Sequence, residues 1–127
     1  MASPPRTRSG SCLCGNIKYT ITNKHGPDMT QLNFEFAEGA KQHIKIYHDQ
    51  ETTSKDEMQR QFCTNCGSCV LITTDHNTSV AIVPVGTMDC GGKGWYKPEV
   101  ECFGYNKKDW MPELQGTQIW EHMPTFG

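Results

Sequence analysis

Two short cysteine motifs constrain this chain more than anything else in it. Cys12-Leu13-Cys14-Gly15 lies near the start, and Cys63-Thr64-Asn65-Cys66-Gly67 lies near the midpoint. In a Cys-x-Cys pair on extended backbone both thiols point to one side, because side chains repeat every two residues. In a Cys-x-x-Cys-Gly turn the small residue lets backbone N–H groups approach sulfur. Four thiolates fill the corners of a tetrahedral zinc site, and a closed set of four marks a structural ion. Cys12, Cys14, Cys63 and Cys66 are therefore expected to hold one structural zinc. That ion would close the long loop between Cys14 and Cys63, and its loss should unfold the domain. A disulfide across Cys-x-Cys is strained, and a redox Cys-x-x-Cys pair opens a helix, so neither alternative suits these motifs as well.

A chain of 127 residues is expected to make one domain with one core. The hydrophobic fraction of 35% and mean hydropathy of -0.62 are modest, so a metal staple would support a small core. Formal net charge is -2 and no basic block occurs, which argues against nucleic acid as a partner. No apolar run is long enough to span a membrane, and Arg6 and Arg8 have no apolar stretch behind them of the kind a secretory signal carries. A cytoplasmic location is the expectation, and there seven cysteines read as metal ligands, reactive thiols or core residues and not as disulfides. The partner classes left open are a small-molecule substrate and a second copy of the chain in a homodimer.

Periodicity predicts a mainly β fold of antiparallel sheets. Residues 1–9, polar and Pro-rich, read as a flexible tail, and residues 10–127 as a single zinc-binding domain. Ile17, Tyr19 and Ile21 alternate with Lys18, Thr20 and Thr22, the period-two pattern of a half-buried strand. After a turn over residues 23–28, Leu32, Phe34 and Phe36 predict a second strand and residues 43–48 a third. Residues 58–62 lead into Cys63, and residues 70–74, 80–85 and 100–105 are further expected strands. A Gly-rich loop spans residues 86–97, and residues 106–127 read as a short helix or turn and an irregular tail.

The segment Gly10-Ser-Cys-Leu-Cys-Gly-Asn-Ile-Lys-Tyr19 resembles the opening motif of the glutathione-dependent formaldehyde-activating enzyme (GFA) family, which includes centromere-protein-V-like proteins. Arg60-Gln-Phe-Cys-Thr-Asn-Cys-Gly-Ser68 is similar to its second motif. Val85-Gly-Thr-Met-Asp89 resembles the segment after the family's core strands, and Trp110 followed by His122-Met123-Pro124 resembles its ending. The resemblance runs from about residue 10 to residue 124. It implies antiparallel sheets stapled by a structural zinc on Cys12, Cys14, Cys63 and Cys66, with no bound organic cofactor.

One departure from the family pattern bears on activity. Members with carbon–sulfur lyase activity carry a Cys-His-Cys-x-x-Cys cluster between the two motifs, whose three cysteines hold a second, catalytic zinc. Here the segment from Ile21 to Gln61 contains no cysteine, and the spacing of His25, His43 and His48 offers no substitute. The catalytic zinc is therefore expected to be missing, with a single structural ion as the metal content.

Three polar residues remain as catalytic candidates. His48 ends a strand beside Asp49, whose carboxylate could orient it as a general base. Asp89 and Cys90 sit in the Gly-rich loop. Cys69 and Cys102 are expected on strands facing the core, and His76 and His122 in solvated or structural roles. Tyr47, Phe34, Trp95 and Trp110 could line an apolar pocket left by the lost cluster. The leading expectation is a repurposed small-molecule enzyme performing metal-independent acid–base chemistry as a lyase, isomerase or cyclase. The alternatives are a residual carbon–sulfur lyase acting on glutathione adducts, and a non-catalytic binding module or pseudoenzyme.

Overall fold

A computed structural model describes residues 6–23, 32–78, 80–89 and 98–122. They fall into two compact units, one within residues 1–93 and one within residues 94–127. The first unit holds two three-stranded antiparallel sheets. Strands β1 (Arg6–Ser11), β2 (Lys18–Asn23) and β3 (Leu32–Phe36) pair in chain order, as do β4 (Ile44–Asp49), β5 (Met58–Cys63) and β6 (Cys69–Thr74). Register is fixed by the apolar alternation: Tyr19 opposes Phe36 and Ile21 opposes Phe34, so these four side chains share one face of β2 and β3 and pack inward. A one-residue slip would turn those side chains to solvent.

The core follows from that face. Ile17, Tyr19 and Ile21 are at most 2% exposed, and the Tyr19 ring stacks on Phe34 at 5.0 Å while Phe34 meets Phe36 edge-on at 4.9 Å. Cys12, Ile17, Ala40, Cys63, Val70 and Leu71 form one buried cluster, and Tyr19, Ile21 and Met88 a second. Phe34, Phe36 and Val83 pack against both. Two of the metal-motif cysteines are thus core residues.

Residues 82–89 tie the two sheets together. Ile82 exchanges two backbone hydrogen bonds with Ile72 of β6, at 2.8 and 2.9 Å. Met88 bridges Gly10 of β1, and the Asp89 N–H donates to the Ser9 carbonyl at 2.9 Å. Between them, Pro84 fixes the entry to a 3-10 turn over Val85–Thr87. The Thr87 hydroxyl donates to the Pro84 carbonyl at 2.7 Å, and the buried Tyr19 hydroxyl lies 2.6 Å from the Thr87 hydroxyl.

The second unit pairs β7 (Val100–Glu101) with β8 (Gln118–Ile119) in parallel. Phe103, in the left-handed region at φ 57°, turns the chain into a 3-10 segment, Gly104–Asn106. Its ring meets Tyr105, which in turn lies 5.1 Å from His122.

The mainly β, antiparallel architecture matches the pattern read from sequence, with the two-residue β7–β8 pair as a parallel exception. Three details differ. β1 begins at Arg6, so residues 6–9 of the expected tail are paired with residues 20–23. The expected strand over residues 80–85 is reduced to the Ile82 bridge, because Pro84 has no N–H to extend a ladder. The expected strand over residues 100–105 ends at Glu101, and Cys102, expected in the core, is exposed. No α-helix occurs, and no helix long and apolar enough to cross a membrane is present, among the described residues.

Gly10 is the tightest point of this packing. A Cβ there would overlap the phenol end of Tyr19 and lie 2.6 Å from the Thr87 carbonyl oxygen. Gly10→Ala is expected to lower unfolding free energy by about 1–3 kcal/mol, read as a reduced urea midpoint at unchanged slope.

Candidate metal centre and the cleft beside it

Each ligand loop is closed by its own backbone. After β1, the Cys12 N–H donates to the Ile17 carbonyl at 3.0 Å and the Gly15 N–H to the Cys12 carbonyl at 3.1 Å. After β5, the Cys63 N–H donates to the Ser68 carbonyl at 3.0 Å and the Gly67 N–H to the Cys63 carbonyl at 2.9 Å. Gly15 and Gly67 take φ of 84° and 79°, the left-handed turn that a side chain disfavours. The two loops are therefore built alike from different spacings, and both aim sulfur at one point.

The four sulfurs of Cys12, Cys14, Cys63 and Cys66 all lie within 4.8 Å of one another. Cys12 Sγ is 3.6 Å from Cys14 Sγ, and Cys14 Sγ is 3.7 Å from Cys63 Sγ. Tetrahedral corners on a zinc ion with bonds of about 2.3 Å stand roughly 3.8 Å apart, so the spacing fits the ion. The surrounding donors fit it as well. The Ile17 N–H points at Cys12 Sγ and the Asn65 N–H at Cys63 Sγ, both at 3.3 Å. The Ser68 hydroxyl lies 3.3 Å from Cys66 Sγ and accepts the Leu13 N–H at 3.2 Å. That hydroxyl, with the Ser68 and Cys14 backbone, brings the Cys66 thiol down to about 5. The Asn65 side chain and Asn16 backbone lower Cys14, whereas burial raises Cys12. A divalent ion at the centre of the four would hold all of them as thiolates. With four sulfurs at four corners, no position is left for substrate.

Beside this centre lies an open cleft of about 410 Å³. Ser11, Cys12 and Leu13 form one wall, Ser68 the base of the second ligand loop, and residues 86–89 the other wall. Asp89 is held there by the Ser9 hydroxyl, which donates to Oδ2 at 2.7 Å.

Two of the three catalytic candidates, Asp89 and His48, stand apart. Asp89 lines the cleft, Cys90 lies outside the described residues, and His48 lies on β4, away from the cleft wall. The His48 Nδ1 pairs with Glu57 Oε1 at 2.5 Å and not with Asp49, which accepts two hydrogen bonds from Arg60 at 3.0 and 3.2 Å. Glu57 is brought down to about 2 by Gln59, His48 and Gln50 in that order. Of the residues expected to line an aromatic pocket, Phe34 packs against the core, Tyr47 and Trp110 are exposed, and Trp95 lies outside the described residues. Ser68 and Thr87, which matter for the centre and the cleft, went unnoticed in the sequence. Ser68 had a signal, a hydroxyl two residues past a ligand. Thr87 had none, since its place depends on the turn after Pro84.

Residues 28–106 match the family described as glutathione-dependent formaldehyde-activating enzyme, and the chain belongs to that family. The matched stretch includes Cys63, Cys66 and Asp89, while Cys12 and Cys14 are joined to them by geometry. No curated protein matches the sequence.

Cys14→Ser and Cys66→Ser are expected to give insoluble protein, checked by the soluble fraction on expression; a well-folded, metal-free variant would contradict the centre. A separate expectation concerns acid. Glu57 is depressed in the folded state, so its contribution is present above its unfolded value near 4.5 and is lost as pH falls toward about 2. Glu57→Gln should therefore flatten the fall in urea midpoint across that window relative to the parent chain.

Proposed function

We propose that this chain is a zinc-stapled GFA-family scaffold that acts as an acid–base enzyme on a small organic molecule bound in the cleft. The observation that carries this reading is the position of Asp89. Among the described residues it is the one carboxylate on a cleft wall whose other ionisable group, Cys12, would be a ligand of the metal centre. Zinc on Cys12, Cys14, Cys63 and Cys66 would supply no chemistry at substrate; its part is to hold the two loops that shape the cleft. Asp89, held at Oδ2 by Ser9, retains acceptor capacity for a substrate proton. The pairing of His48 with Glu57 reads as structural: it ties β4 to the residue just before β5.

Incubating the zinc-loaded protein with metabolite mixtures and following mass spectra should reveal a converted compound. Asp89→Asn should slow that conversion by about 100-fold or more at unchanged zinc content. Conversion untouched by Asp89→Asn would sink the assignment.

The family match supports a second reading, carbon–sulfur chemistry on glutathione adducts. Condensation of ¹³C-formaldehyde with glutathione, followed by NMR, separates the two. Acceleration over the uncatalysed rate favours the second reading, and no acceleration favours the first. The absence of cysteine between Ile21 and Gln61 supports the latter outcome.

A further inference from the structure

Apart from the Ser11 hydroxyl, the polar side chains of the described cleft wall are acceptors whose own protons are already placed. With Cys66 held as a metal-bound thiolate, the Ser68 hydroxyl would donate to its sulfur, leaving the Ser68 oxygen to accept. The Thr87 hydroxyl proton goes to the Pro84 carbonyl. Ser9 gives its proton to Asp89, which as a carboxylate can only accept. Two hydroxyls and a carboxylate thus face the same space with their protons already placed. A ligand that supplied further acceptors would leave these lone pairs opposed.

Charge points the same way. A divalent ion in four thiolates leaves a net charge of about −2 at the centre, and Cys12 belongs both to that centre and to the cleft wall. Asp89 adds a further negative charge on the facing wall. No Lys, Arg or His side chain is part of the described wall. Lys18, the cross-strand partner of Ser11, is the basic residue next to that wall in the β1–β2 ladder, and it is not part of the lining. A recess of one sign concentrates the opposite ion. Leu13, 88% exposed at the rim, adds apolar surface.

We infer that the cleft takes a small organic cation, a protonated amine on a short apolar body, and rejects anionic glutathione adducts. This rests on the reading of the cleft as a small-molecule site. An ammonium offers three donors to the oxygens of Ser68, Thr87 and Asp89, and its charge answers both negative groups. The apolar body would lie against Leu13.

The test is an amide-resolved NMR titration of the zinc-loaded full chain with four probes: benzylammonium, benzyl alcohol, benzoate and S-methylglutathione. Benzylammonium should shift the Leu13, Thr87 and Asp89 amides and bind at least about tenfold more tightly than benzyl alcohol. Benzoate and S-methylglutathione should leave those amides unmoved. Asp89→Asn, with zinc content and spectral dispersion retained, should bring the ammonium and alcohol affinities together. If the alcohol, benzoate or S-methylglutathione binds there as well as the amine, or if Asp89→Asn keeps the preference, the cation assignment fails while the cleft remains a small-molecule site. If none of the four moves those amides, the small-molecule reading fails with it.

Discussion

Four sulfurs meeting at one point are the constraint on which the first unit depends. Strand pairing alone gives two separate three-stranded sheets that share no ladder. The Cys12–Cys14 loop ends β1 in one sheet, and the Cys63–Cys66 loop joins β5 to β6 in the other. An ion bound there joins sheet to sheet. Cys12 and Cys63 are themselves 2% and 1% exposed and sit in the same cluster as Ile17, Val70 and Leu71. An ion bound by the four sulfurs would therefore couple metal binding to core formation and help fix the interior of a chain of modest hydrophobicity.

The second link between the sheets is residues 82–89. It bonds to β6 through Ile82 and to β1 through Met88 and Asp89, and Thr87 caps the buried Tyr19 hydroxyl. The same turn builds one wall of the cleft, with the metal loops as the other. Structure and proposed function thus share residues. Ser68 belongs to both, since it supports a ligand sulfur and offers an oxygen to the cleft. Cys12 belongs to both as well, so an ion held by the four sulfurs would set the charge of the space beside it.

The parts of this fold that follow local rules were legible in the sequence. The alternation of Tyr19 and Ile21, and of Phe34 and Phe36, encodes the inward face of β2 and β3, and the two cysteine spacings encode the metal centre. What was hidden depends on contacts between distant residues. Pro84 in an apolar run reduces an expected strand to a single bridge. His48 chooses Glu57 over its sequence neighbour Asp49 because adjacent strand residues point to opposite faces. The cleft needs residues 11–13, 68 and 86–89 at once, and no periodicity announces such a set. Asp89 was visible as a candidate, but its hydroxyl partner Ser9 lay in a segment that composition reads as a tail.

The central claim is that the metal centre is a closed staple and leaves substrate chemistry to the cleft. X-ray absorption at the zinc edge of the purified, zinc-loaded protein tests it most directly. The account predicts four sulfur scatterers at about 2.3 Å and no nitrogen or oxygen in the first sphere. A sphere containing a water or nitrogen ligand, or fewer than four sulfurs, would contradict it.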